Sequence, residues 1–276
     1  MIPTLLITLR QYRMLLLLYG ITLLLALPVA LGLFGAINAE ADRSLAPLNL
    51  LDGFDYTVFS DFMNRHSGAI WPLVRTGWYA ALTYLLVSIW TTGGVLNSFA
   101  SGYQAVSFWQ AGTYYFGRNA RLFGVTLLFA IPLLVVAILV GSLLVIAVED
   151  TLTERGIALV CFAVLAVFGL GLALLFCVAN YARVMLFRTD DPVAFRAFGV
   201  ASRFVRANLR ATFGQYLLIM AIGGALFGLY FLLETALPTR NWFLILLLTV
   251  VQQAFIFCRV ALKVWALRVA FEQVNR

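Results

Sequence analysis

The sequence predicts an all-α, polytopic membrane protein: a bundle of about six transmembrane helices, with amphipathic helices at the cytoplasmic interface. Three observations predict it. Hydrophobic residues make up 63% of the 276 positions and charged residues only 11%, against about 25% charged in soluble domains. With a mean hydropathy of +0.97, most of the surface must face lipid. Several apolar runs exceed the roughly 20 residues needed to cross a hydrocarbon core. Their continuity, without strict alternation, excludes a β-barrel and leaves helices as the spanning form. The basic residues, finally, alternate between dense and sparse connectors along the chain.

The N-terminus, MIPTLLITLRQYR, carries Arg10 and Arg13 just before the first apolar run. That run, 14–37, is too long for the apolar part of a signal peptide and reads as a retained first span. Further spans are expected at 77–98, 122–147, 157–181, 212–233 and 242–262, the last continuing as helix towards the C-terminus. All belong to one integral membrane domain covering 1–276.

Orientation follows from the arginines. The N-terminus, the 99–121 and 182–211 connectors and the C-terminal end hold 14 of the 19 basic residues, and the opposite connectors hold 5. Dense basic connectors stay in the cytoplasm, so both termini are expected inside a bacterial inner membrane. Trp71, Trp109, Trp242 and Trp265 fall where an aromatic belt would place them. The net charge of +7 follows this topology and so does not point to nucleic acid. Lys263 is the only lysine. Arginine favours bidentate phosphate or carboxylate contacts, although a GC-rich genome explains the bias more simply.

The connector DDPVAFRAFGVASRFVRANLR, residues 190–210, is the longest stretch that cannot sit in lipid. Asp190 and Asp191 before Pro192 read as a helix start. Arg196, Gly199, Arg203, Arg206 and Arg210 share one face, and Phe195, Phe198, Ala201, Val205 and Leu209 fill much of the rest. The pattern is that of a basic helix lying in a membrane interface with its arginines towards phosphate. An earlier stretch, VSFWQAGTYYFGRNARLFG (106–124), resembles VAFRAFGVASRFVRANLRATFG (193–214). Both open V-x-F and close on Phe-Gly, and LLITLRQYRMLLLLYG is a worn third copy. The repeating unit is an interfacial helix followed by a two-helix hairpin. Arg118, Arg121, Arg196, Arg203, Arg206 and Arg210 are therefore the candidate contacts to anionic lipid or a cytoplasmic partner.

Polar side chains inside spans are the second set of candidates, because burying them in lipid is costly. They are Asn180, Gln252, Gln253, Arg259 and Lys263. Arg259 and Lys263 lie one turn apart and can snorkel. The two glutamines suit hydrogen bonds between helices better than a substrate path. Gly93 and Gly94, like Gly169 and Gly171, suit close helix packing. Cys161, Cys177 and Cys258 lie in apolar runs without a C-x-x-C pair and read as buried, inert thiols.

Catalytic machinery is missing from the pattern. His66 is the only histidine, too little for a triad or a zinc site. Asp52, Asp55 and Asp61 lack the spacing of a calcium loop. No catalytic residue, metal or cofactor is expected. The 53–66 stretch, GFDYTVFSDFMNRH, is expected to form a short amphipathic helix on the outer surface.

DDPVAFRAFGVASRFVRANLRATFG, together with VSFWQAGTYYFGRNARLFG, resembles the membrane domain of bacterial glycerophosphodiester phosphodiesterases and related inner-membrane proteins. That family has an acidic start, an Ala-rich turn and a basic helix before its fifth span. The likeness is specific over about 45 residues. It implies a membrane module without the soluble diesterase domain, and hence no diesterase activity. The expected role is a non-enzymatic scaffold or subunit that binds anionic lipid or a cytoplasmic protein, and a homo-oligomer is compatible with it. The alternative is a permease subunit coupled to a cytoplasmic ATPase through the 190–210 helix. A remoter one is a lipid-modifying enzyme using Asp52, Asp55, Asp61 and His66.

Overall fold

The structure, a computed structural model, describes residues 2–41, 56, 60, 67–149, 151–190, 193–237 and 242–275. These residues are all-helical. In chain order the helices are α1 (Ile2–Arg10), α2 (Tyr12–Ala41), α3 (Ser67–Ser101), α4 (Ala105–Val148), α5 (Glu154–Thr189), α6 (Ala194–Ala207), α7 (Leu209–Ala236) and α8 (Trp242–Val274). Six of them, α2, α3, α4, α5, α7 and α8, are long and apolar enough to cross a membrane. The chain is a multi-pass membrane protein by helix length and hydropathy.

The chain divides into two compact units, residues 16–88 and residues 1–15 with 89–276. In the smaller unit α2 and α3 approach closely at Gly32, where a Cβ would come within 2.8 Å of Leu73 Cδ2.

In the larger unit the core is concentrated at one end of the helices. Its buried hydrophobics include Met14, Leu15, Leu96, Phe108, Leu122, Cys177, Ala182, Leu186, Ala201, Val205, Trp265 and Ala270. These stretches are also the ones that carry Arg13, Arg118, Arg121, Arg183, Arg188, Lys263 and Arg268. By contrast, no residue in the most apolar window of α4 is buried, and only 6% are in those of α5, α7 and α8.

Small residues make this end dense, because they let backbones meet. A Cβ on Gly94 would lie 2.6 Å from the Phe108 carbonyl oxygen, and one on Gly93 would lie 2.8 Å from that of Ala111. Above them Trp90 stacks on Trp109 at 4.8 Å and its indole N–H donates to Thr113 Oγ1 at 3.2 Å. The turn from α3 to α4 uses Gly102 in the left-handed region, φ 83°, with its N–H bonded to the Ser98 carbonyl at 3.1 Å. α1 packs on α8, where Trp265 Nε1 donates to Thr4 Oγ1 at 2.9 Å. Leu5 joins Ile219, Ile222 and Val269 around the same indole.

The structure corrects several sequence expectations. The 99–121 connector is not a separate interfacial helix: α4 starts at Ala105 and runs unbroken through the third span to Val148. Asp190 does not open the basic helix. It closes α5 in the left-handed conformation, φ 51°, one that aspartate tolerates better than most residues. α6 begins after Val193, which makes no side-chain cap. The basic helix ends at Ala207, and Arg210 lies on α7. Trp265 is core, at 4% exposure, and Cys161 is exposed where a buried thiol was expected. Gly93 and Gly94 carry close packing, but Gly169 meets nothing within 4 Å and Gly171 makes only an ordinary contact with Leu133. The expected outer helix at 53–66, with Asp52, Asp55, Asp61 and His66, lies outside the described residues.

Candidate functional site

Two constellations stand out at the basic end of the larger unit. The first is α6. Ala194, Ala197, Phe198, Ala201 and Val205 are buried and recur at three- and four-residue spacing, so they form one stripe. This stripe faces α5 and α4, with Phe198 stacked on Phe129 of α4 at 5.2 Å and Phe204 against Tyr181 of α5 at 5.7 Å. Arg196, Arg203 and Arg206 occupy the opposite side and are exposed. The expected interfacial face is thus split. Phe198, Ala201 and Val205 bind protein, whereas Phe195 and Val200 remain exposed beside the arginines.

α6 is held at both ends. At its start, Asp190 forms an ion pair with Arg118 of α4 and accepts from the Tyr114 hydroxyl at 3.3 Å. The Arg118 guanidinium also lies over the rings of Tyr114 and Tyr115, at 4.9 and 5.5 Å. The hydrogen bond from Arg118, helped by its charge, holds the Asp190 carboxyl below the usual carboxylate range. Arg118 was a candidate for external contacts; the structure engages it internally. Arg121, one turn further, borders an apolar hollow of about 550 Å³ lined by Gly124, Val125, Leu128, Val193, Ala194 and Phe195. At the other end the chain breaks at Asn208, φ −121° and ψ 39°. Its side chain donates to the Phe204 carbonyl at 3.3 Å. Thr212 restarts the next helix by donating to the Asn208 carbonyl at 2.9 Å.

The second constellation lies where α5, α7 and α8 meet. Asn180 accepts from Arg183 Nη1 at 3.1 Å, both on α5. Arg183 and Arg259 are within electrostatic reach of Lys263, and Tyr216 of α7 is within reach of Arg183. Arg183 is half-buried, while Arg259 and Lys263 are exposed. A polar network beside them ties the same helices together. The Tyr181 hydroxyl donates to Gln273 Oε1, and Gln273 Nε2 donates to the Ala211 carbonyl at 2.9 Å and to Gln215 Oε1 at 2.7 Å.

Of the predicted intramembrane polar residues, Asn180 therefore bonds Arg183, and Lys263 lies within electrostatic reach of Arg183 and Arg259. Gln252 and Gln253 lie further along α8, about 10 Å from Arg259 at 1.5 Å per residue; Gln252 is exposed and Gln253 half-buried. The signal that could have found Arg183 is its spacing: it follows Asn180 by three residues at the end of a span, so both share a face. No protein-family model, curated protein or solved structure matches this chain.

Proposed function

We propose that the protein is a non-enzymatic scaffold or subunit of a bacterial inner membrane. In this reading the basic end is cytoplasmic, as the distribution of basic residues requires, and the fold is that of the membrane domain the α6 and α4 segments resemble. α6 is the docking element, for anionic lipid or a cytoplasmic protein. One observation carries the reading: the apolar stripe of α6 is committed to α5 and α4, which holds Arg196, Arg203 and Arg206 on a rigid, exposed face. A basic residue near an anionic surface contributes about 1 kcal/mol. Losing three such contacts would weaken docking by about two orders of magnitude.

The test is the triple change Arg196→Gln, Arg203→Gln and Arg206→Gln. The variant should still insert, because no span is altered. Anionic lipid retained through purification, or a cytoplasmic protein crosslinked to the α6 face, should fall together with the charge. Equal recovery of both from parent and variant would reject the proposal. Capture of an ATPase on this face would instead favour the permease reading.

A further inference from the structure

Beyond Arg121, α4 carries no charge: positions 122–148 are all uncharged. Arg121 therefore marks the level at which this helix passes from the polar surface of the membrane into hydrocarbon. The hollow between α4 and the start of α6 begins at that level. Arg121, Gly124, Val125 and Leu128 form its α4 wall, and their three- and four-residue spacing puts them on one face. At helical rise this wall follows α4 for about 10 Å into the apolar region. Val193, Ala194 and Phe195 form the opposite wall. Small residues open the space: a Cβ on Gly124 would meet no heavy atom within 4 Å. The two walls are tied together beside the hollow, by Phe198 stacked on Phe129 at 5.2 Å and by Asp190 paired with Arg118.

The walls select their occupant. The volume of about 550 Å³ lies in the range of small-molecule sites, about 300–1000 Å³. Among the described residues, Arg121 is the only charged one on the walls. Water settles in a cavity only with several polar partners, which the apolar length beyond Arg121 does not offer through its side chains. An amphiphile matches both parts, with a chain along Gly124, Leu128 and Phe195 and a negative charge at Arg121. The planar guanidinium suits bidentate contact with a phosphate. Arg121 also interacts within the fold, and its several N–H donors can serve a second acceptor. A cytoplasmic protein would have to insert below the last charge of α4 to fill the hollow, whereas a lipid is already at that depth.

We infer that one anionic phospholipid is seated here, with its headgroup phosphate on Arg121 and one acyl chain in the hollow beside Gly124 and Leu128. The seat is separate from the exposed arginine face of α6 and stands whether or not that face docks anything.

The protein is purified in a neutral maltoside detergent and stripped of lipid. Phosphatidylglycerol with a photoreactive diazirine in one acyl chain is added in rising amounts, and the labelled residues are mapped by mass spectrometry. Phosphatidylcholine with the same chain is run in parallel. Labelling at 124–128 and 193–195 should saturate, whereas labelling at the exposed Leu139 and Leu165 should go on rising with lipid. Half-saturation should need about fivefold less phosphatidylglycerol than phosphatidylcholine, the value of one basic contact near an anionic surface. Arg121→Gln, at an exposed position, should erase that preference. Gly124→Leu and Leu128→Trp fill the hollow and should abolish saturable labelling by both lipids, with melting in the absence of lipid showing that each is folded. The triple α6 variant should keep both the labelling and the preference. Labelling that never saturates in the parent overturns the inference. So does a preference that survives Arg121→Gln, saturable labelling that survives both filling variants, or labelling lost in the α6 variant, which would place the lipid on α6. A second copy of the chain or another protein crosslinked to a photoreactive group at position 195 in intact membranes would also overturn it, by putting protein in the hollow.

Discussion

The two stretches that look like copies of one another, 106–124 and 193–214, fold differently, and an asparagine in each shows how. In RNARLFG, Asn119 stays inside α4, a helix of 44 residues and so about 66 Å long. In RANLRATFG, Asn208 breaks the chain into α6 and α7. Asn119 is buried, and neither of its side-chain polar atoms has a hydrogen-bond partner. Asn208 is exposed, and its side-chain amide donates to the Phe204 carbonyl, which its backbone N–H also reaches. Similar sequences thus meet the same conflict between helix and side chain in two ways. One keeps the helix and leaves a polar group unsatisfied. The other satisfies the group and gives up the helix.

Packing decides which outcome prevails. The first stretch is clamped by α3, whose Gly93 and Gly94 admit the α4 backbone at Phe108 and Ala111. Gly199 of the second stretch meets no heavy atom within 4 Å of a Cβ built on it; that stretch is held instead by its buried stripe against α5 and α4.

The largest effect should come from breaking the clamp. Gly94→Ala places a methyl group against the Phe108 carbonyl, which cannot give way as a side chain would. It should cost about 3 kcal/mol, read as a fall in melting temperature in detergent; an unchanged melting temperature would show that α3 does not hold α4. Asn119→Leu, of similar volume, removes the unsatisfied amide and should stabilise by about 1–3 kcal/mol. Destabilisation there would mean that the amide is satisfied in the folded protein. Gly199→Ala should stabilise by about 0.5–1 kcal/mol, as alanine does in an open helical site. Loss of stability would make the second stretch as crowded as the first.

The smallest effect concerns the α5 terminus. Asp190 has a depressed pKa in the fold, so its contribution is fully present above the unfolded value of about 3.9 and disappears as pH falls through the folded value. Asp190→Asn keeps a residue suited to positive φ and removes only the charge. Parent and variant should therefore differ in melting temperature at pH 7 and converge as acid protonates the folded-state carboxylate. A difference that persists in acid would assign the effect to the backbone.

Much of this architecture is legible in the sequence. Apolar length alone locates six spans, because lipid leaves the backbone no alternative to helix. The helical period alone places Arg196, Arg203 and Arg206 on one face. Other features are set by packing between helices that are distant in sequence. The same VSFWQAG pattern reads as an interfacial helix until α3 is seen against it. Phe108 is fully buried while Phe195, at the matching V-x-F position, is 59% exposed, and no local pattern separates them. Arg118 and Arg196 look alike as basic residues near a span. Only the fold shows that Asp190, 72 residues away, engages the first.

The sparse covering of α4, α5, α7 and α8 along their apolar windows has a thermodynamic consequence. Over that length the bilayer supplies most of the contacts that a neighbouring helix would supply in a tighter bundle. Changing acyl-chain length should then alter the solvent of the spans while leaving the interlocked basic end intact. Amide exchange would be slow around Phe108, Ala182 and Trp265 in any host. Around Leu139, Leu165 and Leu246 it would track the thickness and order of the surrounding hydrocarbon.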